Sequence, residues 1–186
     1  MSNRLTKIYT RTGDDGTTEL SNRDRIDKSD IRIDAMGDID ELNSVIGFLR
    51  ANDIPENLSG NLLDIQHRLF DIGGELAIPG NEVISSESVK RLEQLIDAIN
   101  SDLPALKEFV LPGGSISASI CHIARTVCRR SERTLVALAR KESFNTETLC
   151  YINRLSDLLF VVARMLNQEE GNIEVFWDSE KLKHSL

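Results

Sequence analysis

Apolar residues recur along most of this chain at alternating spacings of three and four, and that period leaves few folds open. Leu58, Leu62, Ile65, Leu69, Ile72 and Leu76 form the longest such stripe, which puts all six side chains on one face of a helix. Ile39, Leu42, Ile46 and Leu49 precede it, and Val89, Leu92, Ile96 and Ile99 follow. Pro79-Gly80-Asn81 separates the second helix from the third, Ser85 or Ser86 offers a cap for the new start, and Pro104 ends it. After Pro112-Gly113-Gly114 the spacing predicts a fourth helix, capped by Ser115 or Ser117, carrying Ile120, Ile123, Val127, Leu135 and Leu138 and running to about Lys141. The fifth covers roughly Thr146 to Asn167, with Ile152, Leu155, Leu159, Val162 and Leu166 inward, and stops before Gly171. The first starts near Asp34 or near Asp38, where Asp38 and Glu41 have the spacing of a capping box. Five helices on short connections can bury their stripes only against one another, so the expected fold is all-α, a five-helix bundle.

With 186 residues the chain fits one domain, 1–186. Residues 1–30, rich in Gly, Asp, Thr, Ser and Arg without a sustained period, read as an extended, turn-containing segment. Residues 31–170 make the bundle and 171–186 a C-terminal tail. The formal net charge of -8 repels a phosphate backbone at long range, which argues against nucleic acid as a partner. No apolar run reaches the length of a membrane span or of a signal peptide. Cys121, Cys128 and Cys150 have no zinc-site spacing and read as reduced core thiols, so a cytoplasmic location is expected. His67, His122 and His184 are scattered and lack the Glu-x-x-His pairs of di-iron bundles, which excludes a ferritin-like metal centre.

Four constellations carry possible chemistry. In YTRTGDDGTT, Tyr9 to Thr18, two glycines can aim successive amide N-H groups into a concave anion site while threonine hydroxyls add donors; an ordinary hairpin turn would use the same residues. Arg125, Arg129 and Arg133 recur every four residues on the fourth helix, with Arg130 and Glu132 among them. Such a row is either a solvated basic face or a clamp for a triphosphate, whose oxygens match guanidinium forks. Asn153, Asp157, Phe160 and Arg164 share the side of the fifth helix opposite its apolar stripe; water accounts for the polar members, and Phe160 suggests a covering neighbour or ligand. In GDIDELNS, Gly37 to Ser44, the carboxylates Asp38, Asp40 and Glu41 suit a helix start or an ion pair with another chain.

Taken in order, YTRTGDDGTT, GDIDELNS, FVLPGG, RRSER and YINRLSDLLF resemble the signatures of the propanediol-utilisation type of ATP:cob(I)alamin adenosyltransferases, the corrinoid adenosyltransferases. The resemblance spans nearly the whole chain. It implies a homotrimer of five-helix bundles with active sites between subunits, and transfer of the 5'-deoxyadenosyl group of ATP to the cobalt of cob(I)alamin or a related corrinoid, releasing triphosphate. ATP-binding roles follow by resemblance for Thr10, Arg11, Thr12, Gly13, Thr18 and Lys28 of one chain and for Arg129, Arg130, Glu132, Arg133 and Asn153 of its neighbour. Asp40 would pair with Arg129 across that boundary. Phe109 would lie under the corrin ring in place of its lower axial base, with Phe160 closing the pocket; from the residues alone Phe109 reads as core packing.

Arg133, Asn153 and Phe109 would be the residues closest to the chemistry. Co(I) is itself a strong nucleophile, so no Ser, Cys or His is needed to attack, and the protein's task is to position the 5' carbon and stabilise the departing triphosphate. Mg2+ would arrive on ATP rather than on protein side chains, and a reductase would supply the electron that makes Co(I). Two rivals use the same residues: an ATP-sensing or corrinoid-carrying bundle without turnover, and an interaction protein whose N-terminal turn binds nothing.

Overall fold

The computed structural model describes residues 9–180; His184, residues 1–8 of the predicted N-terminal segment and 181–186 of the predicted tail lie outside them. Two short strands precede five helices: β1 (Thr17–Glu19), β2 (Arg25–Asp27), α1 (Ile31–Arg50), α2 (Glu56–Ala77), α3 (Ser86–Asn100), α4 (Ile116–Ala139) and α5 (Thr146–Glu169). α4 lies at the centre, packed on α5 and α1, while α2 packs on α1 and α3 on α5.

The stripes become the core. All six apolar residues of the α2 stripe are buried, as are Ile39, Leu42, Ile46 and Leu49 of α1 and all five of α5. Each such side chain withdraws surface from water for roughly 1.5–3 kcal/mol, so the stripes outweigh any local helix preference. The shorter α3 buries Val89 and Leu92, and Ile96 and Ile99 pack on the core more loosely.

Several local expectations need correction. α1 begins a turn early, because Asp30 caps it by accepting from the Arg32 amide at 2.8 Å, and Asp38 sits inside the helix. Ser85 does precede α3, but its hydroxyl lies 3.4 Å from that of Ser88 and makes no cap bond. Ser115, not Ser117, caps α4, through the Ala118 amide at 3.1 Å. Ile123 is 53% exposed on the outer face of α4, where Ala124, Val127 and Cys128 take the inward positions. Cys150 is exposed, whereas Cys121 and Cys128 are core thiols that donate to Leu159 O at 3.1 Å and Ile152 O at 3.3 Å. Burial pushes both core thiols far above the usual range, which removes them as nucleophiles. Arg164 does not face water: it is buried and paired with Glu174 of the tail.

Buried polar groups fix the loops on this frame. Glu75 accepts from the Val83 amide, the Ile84 amide at 2.7 Å, Asn145 Nδ2 at 3.0 Å and the Thr148 hydroxyl. One carboxylate thus joins the α2–α3 connection to the start of α5, with its lone pairs well occupied. Arg32 ties α1 to Leu76 O at 2.6 Å and to Glu142 at 2.6 Å.

Candidate active site

The N-terminal segment folds back on itself as a hairpin. β1 and β2 pair antiparallel, Thr18 opposite Ile26, and the connecting turn is at Leu20–Asp24, where Arg23 has φ 73. GDDG is therefore a separate turn leading into β1, closed by Gly16 N to Gly13 O at 3.3 Å. Lys28, brought alongside by the hairpin, donates to Gly13 O at 2.7 Å. A Cβ on Gly13 would meet Thr17 O at 3.1 Å and Lys28 Nζ at 3.2 Å, so a side chain there would have to displace these neighbours by a few tenths of an ångström. Thr10 and Thr12 share a hydroxyl contact at 2.8 Å, and Arg11 takes a left-handed φ of 64 with its guanidinium over the Tyr9 ring.

Two braces of this turn escaped the sequence reading. Arg25 donates to Thr12 O at 2.6 Å and, through Nε, to Thr17 Oγ1 at 3.1 Å. Asp15 accepts from the Thr17 amide and hydroxyl at 3.0 and 2.8 Å, donations that hold its carboxyl below the usual range. The Asp-x-Thr spacing is the signal that could have found Asp15, since an aspartate commonly caps the amide two residues on.

The arginines of α4 divide into different environments. Arg129 and Arg133 are exposed, and Arg133 Nη1 donates to Arg129 O at 2.9 Å. Among the described residues no carboxylate lies within 4.0 Å of either guanidinium. Arg130 points instead to α1, donating to Asp38 at 3.0 Å and to Glu41. Arg125, on the same face as Arg129, is half-buried and donates to His122 Nδ1 at 3.3 Å. Asn153 of α5 donates to Glu132 at 2.7 Å, so these two predicted site residues do meet.

Phe109 lies on the α3–α4 connection, 77% exposed, which contradicts simple core packing. Its carbonyl accepts from the Trp177 amide at 2.7 Å, and Val110 bridges Phe176. Phe160 of α5 is half-buried against the His122 ring, centroids 6.4 Å apart. Burial, and then Arg125, push His122 down to about 4, with Glu174 opposing, so it is neutral near pH 7 and offers Nδ1 as an acceptor.

Thr18, Lys28 and Asp40 share a mostly apolar groove of about 680 Å³ with Met36, Phe70 and Asn43. Asn43 was not singled out in the sequence. It is 6% exposed, and its Oδ1 is the buried side-chain atom left without a hydrogen-bond partner among the described residues. Arg133 lines a different groove, of about 610 Å³, with Asp34 and Asp38. In one chain Thr18 and Lys28 thus line a different groove from Arg133.

Comparison with known proteins covers most of the chain. The family model described as cobalamin adenosyltransferase matches residues 8–166. A cobalamin adenosyltransferase of Cupriavidus metallidurans is 52% identical over 97% of this chain and 99% of its own length, and a corrinoid adenosyltransferase of Bacillus subtilis is 48% identical over 89% of each. Among solved structures, a phenylalanine-to-alanine variant of the PduO-type ATP:corrinoid adenosyltransferase from Lactobacillus reuteri, complexed with cobalamin and ATP, is 39% identical with a TM-score of 0.88, covering 93% of this chain and 100% of that one. An arginine-to-lysine variant of the same enzyme, complexed with ATP, is 39% identical with a TM-score of 0.86, covering 92% and 100%. With the fold, the ordered motifs and these matches in agreement, the chain belongs to the cobalamin adenosyltransferase family.

Proposed function

We propose that this chain transfers the 5'-deoxyadenosyl group of ATP to the cobalt of cob(I)alamin or a related corrinoid, at sites completed by a neighbouring protomer. ATP-dependent adenosylation of a corrinoid is the activity of the family, and the chain is an enzyme of that class. The observation that carries the reading is the exposed pair Arg129 and Arg133, free of carboxylates and adjacent to the Glu132–Asn153 contact.

In the reaction, the Co(I) lone pair attacks C5' of ATP, the C5'–O bond breaks, and its electron pair leaves on triphosphate as the Co–C bond forms. Arg133 and Arg129 neutralise charge growing on the leaving oxygens, with Arg130 and Glu132 beside them; Asn153, held by Glu132, orients the nucleotide. From the adjoining protomer Thr10, Arg11, Thr12, Gly13, Thr18 and Lys28 hold the phosphates. The support for Lys28 is its fixed place over the turn at Gly13. Phe109 excludes water and the lower base from the corrin without donating a lone pair, which lowers the acceptor orbital of Co(II) and eases reduction by a partner reductase. Phe160 closes the pocket.

A homotrimer, with Asp40 paired to Arg129 of its neighbour, is supported by the groove at Asp40, whose apolar lining and unpartnered Asn43 Oδ1 suit cover by another protein surface. Among the described residues no group of three or more His, Cys, Asp or Glu side chains could hold a metal ion, whereas Mg2+ keeps waters and fits phosphate oxygens with few protein ligands. Bound to ATP, it would supply positive charge at the triphosphate. The chain works as one domain, and the cytoplasm is the compartment proposed; among the described residues no helix is long and apolar enough to cross a membrane.

The test is spectroscopic. Co(I) corrinoid, ATP and Mg2+ with the purified protein should give a light-sensitive alkylcobalamin spectrum and free triphosphate, and Arg133→Ala should abolish both. Binding of ATP with an unchanged corrinoid spectrum would favour the sensing or carrier reading instead.

A further inference from the structure

The loop that carries Phe109 is held by the end of α5 and by the chain segment that follows it. Arg164 lies one helical turn beyond Phe160, on the same face of α5. Its guanidinium, with a side chain only 3% exposed, donates to Pro104 O at 2.7 Å near the start of the loop and to both oxygens of Glu174, at 2.6 and 3.2 Å. From Glu174 the tail runs antiparallel to the loop. Leu111 N donates to Val175 O at 2.8 Å and Trp177 N to Phe109 O at 2.7 Å, on either side of the Val110–Phe176 bridge. The far end of the loop is fixed from α5 too, since Asn167 Oδ1 accepts from the Ser115 amide at 3.0 Å.

We infer that Arg164 and Glu174 are a positioning pair for the corrinoid reaction: through the tail segment 175–177, bridged to the loop at Val110 and Phe176, they set where Phe109 stands under the ring. This rests on the reading of Phe109 given above. A buried, bidentate ion pair holds its geometry far better than an exposed one, and the energy of leaving Arg164 uncompensated opposes release of the tail. Phe109 itself is exposed and has little packing of its own to fix it. Its placement therefore depends on the backbone to which it is hydrogen-bonded, and that backbone is tied to Arg164.

The experiment measures, in the full chain with ATP and Co(II) corrinoid, the fraction of cobalt lacking its lower base by electron paramagnetic resonance, together with kcat and KM. Glu174→Gln should lower that fraction and reduce kcat roughly ten- to hundredfold, as expected when a reacting group is displaced by about an ångström. KM for ATP should hardly move while the melting temperature falls, because Arg164 is left buried without its carboxylate, and Glu174→Asp should restore part of the spectral and kcat effects. If Glu174→Gln fails to fold, Trp177→Pro removes the amide donor to Phe109 O at a half-exposed position and gives the same readout. Wild-type spectra and kcat in the folded tail variants, alongside a changed spectrum in Phe109→Ala, would overturn the positioning role alone. An unchanged spectrum in Phe109→Ala would overturn the reading of Phe109, and the positioning role with it.

Discussion

Asn153 of α5 donates to Glu132 of α4 across 2.7 Å, so the carboxylate set among the arginines is turned to orient an amide rather than to neutralise Arg129 or Arg133. Among the described residues the two guanidinium groups are left without a carboxylate partner, as the proposed role in binding triphosphate requires. Asn153→Ala should therefore lower kcat/KM by about 10²–10³, the range for losing one preorganised donor. Far-ultraviolet circular dichroism should be unchanged, since the residue is exposed. Unaltered kinetics would remove Asn153 from the site.

Asp40 and Arg129 are both exposed in the single chain. If they meet across protomers, Asp40→Arg should weaken assembly, and adding Arg129→Asp should recover part of it, with a coupling of about 1.5–7 kcal/mol, the range for close interface charge pairs. Sedimentation equilibrium of the two single variants and the double variant checks this. Additive single effects would show that the pair does not form.

Gly114 has φ 103, and a Cβ there would come within 1.9 Å of Asn167 Oδ1. Gly114→Ala should cost about 2–4 kcal/mol from backbone strain and the displaced Asn167, lowering Tm by roughly 5–15 °C. Differential scanning calorimetry measures it. A wild-type Tm would mean that the loop end is not held as described.

His122 is pushed down from 6.5 to about 4, chiefly by burial. Its folded value lies below its unfolded one, so the unfolded chain takes up the proton first as pH falls. The stability carried by the neutral ring is complete above 6.5 and is lost as pH drops from 6.5 towards about 4. His122→Gln should show a shallower loss of unfolding free energy between pH 7 and pH 5 than the wild type in urea titrations, with identical slopes as the contrary result.

The frame was legible because α2 and α5 place every stripe residue inward, and a period of three and four states that directly. Legibility failed where a partner lies far off in sequence. Arg164 read as solvent-facing because Glu174 lies in an aperiodic tail, and Asp38 read as a cap because Arg130, its partner, is on α4. Ile123 shows the complementary limit: an apolar residue near the inward arc lies outward when Ala124 lets the helices approach on its other side. At the site, the ordered motifs marked Gly13, Glu132 and Asn153 and the family resemblance added Lys28, but the bracing Arg25 and the unpartnered Oδ1 of Asn43 needed the fold to bring their surroundings together.

The proposed site is assembled from two protomers, the glycine turn and Lys28 from one and the arginine row from the next. Lys28→Ala and Arg133→Ala should each be inactive alone. Coexpressed with different tags and purified as mixed trimers, they should regain adenosylation at about one third of the sites, since every mixed ring of three has one junction that receives both intact halves. Mixed assemblies that stay as inactive as either parent would place both halves within a single chain and contradict the account.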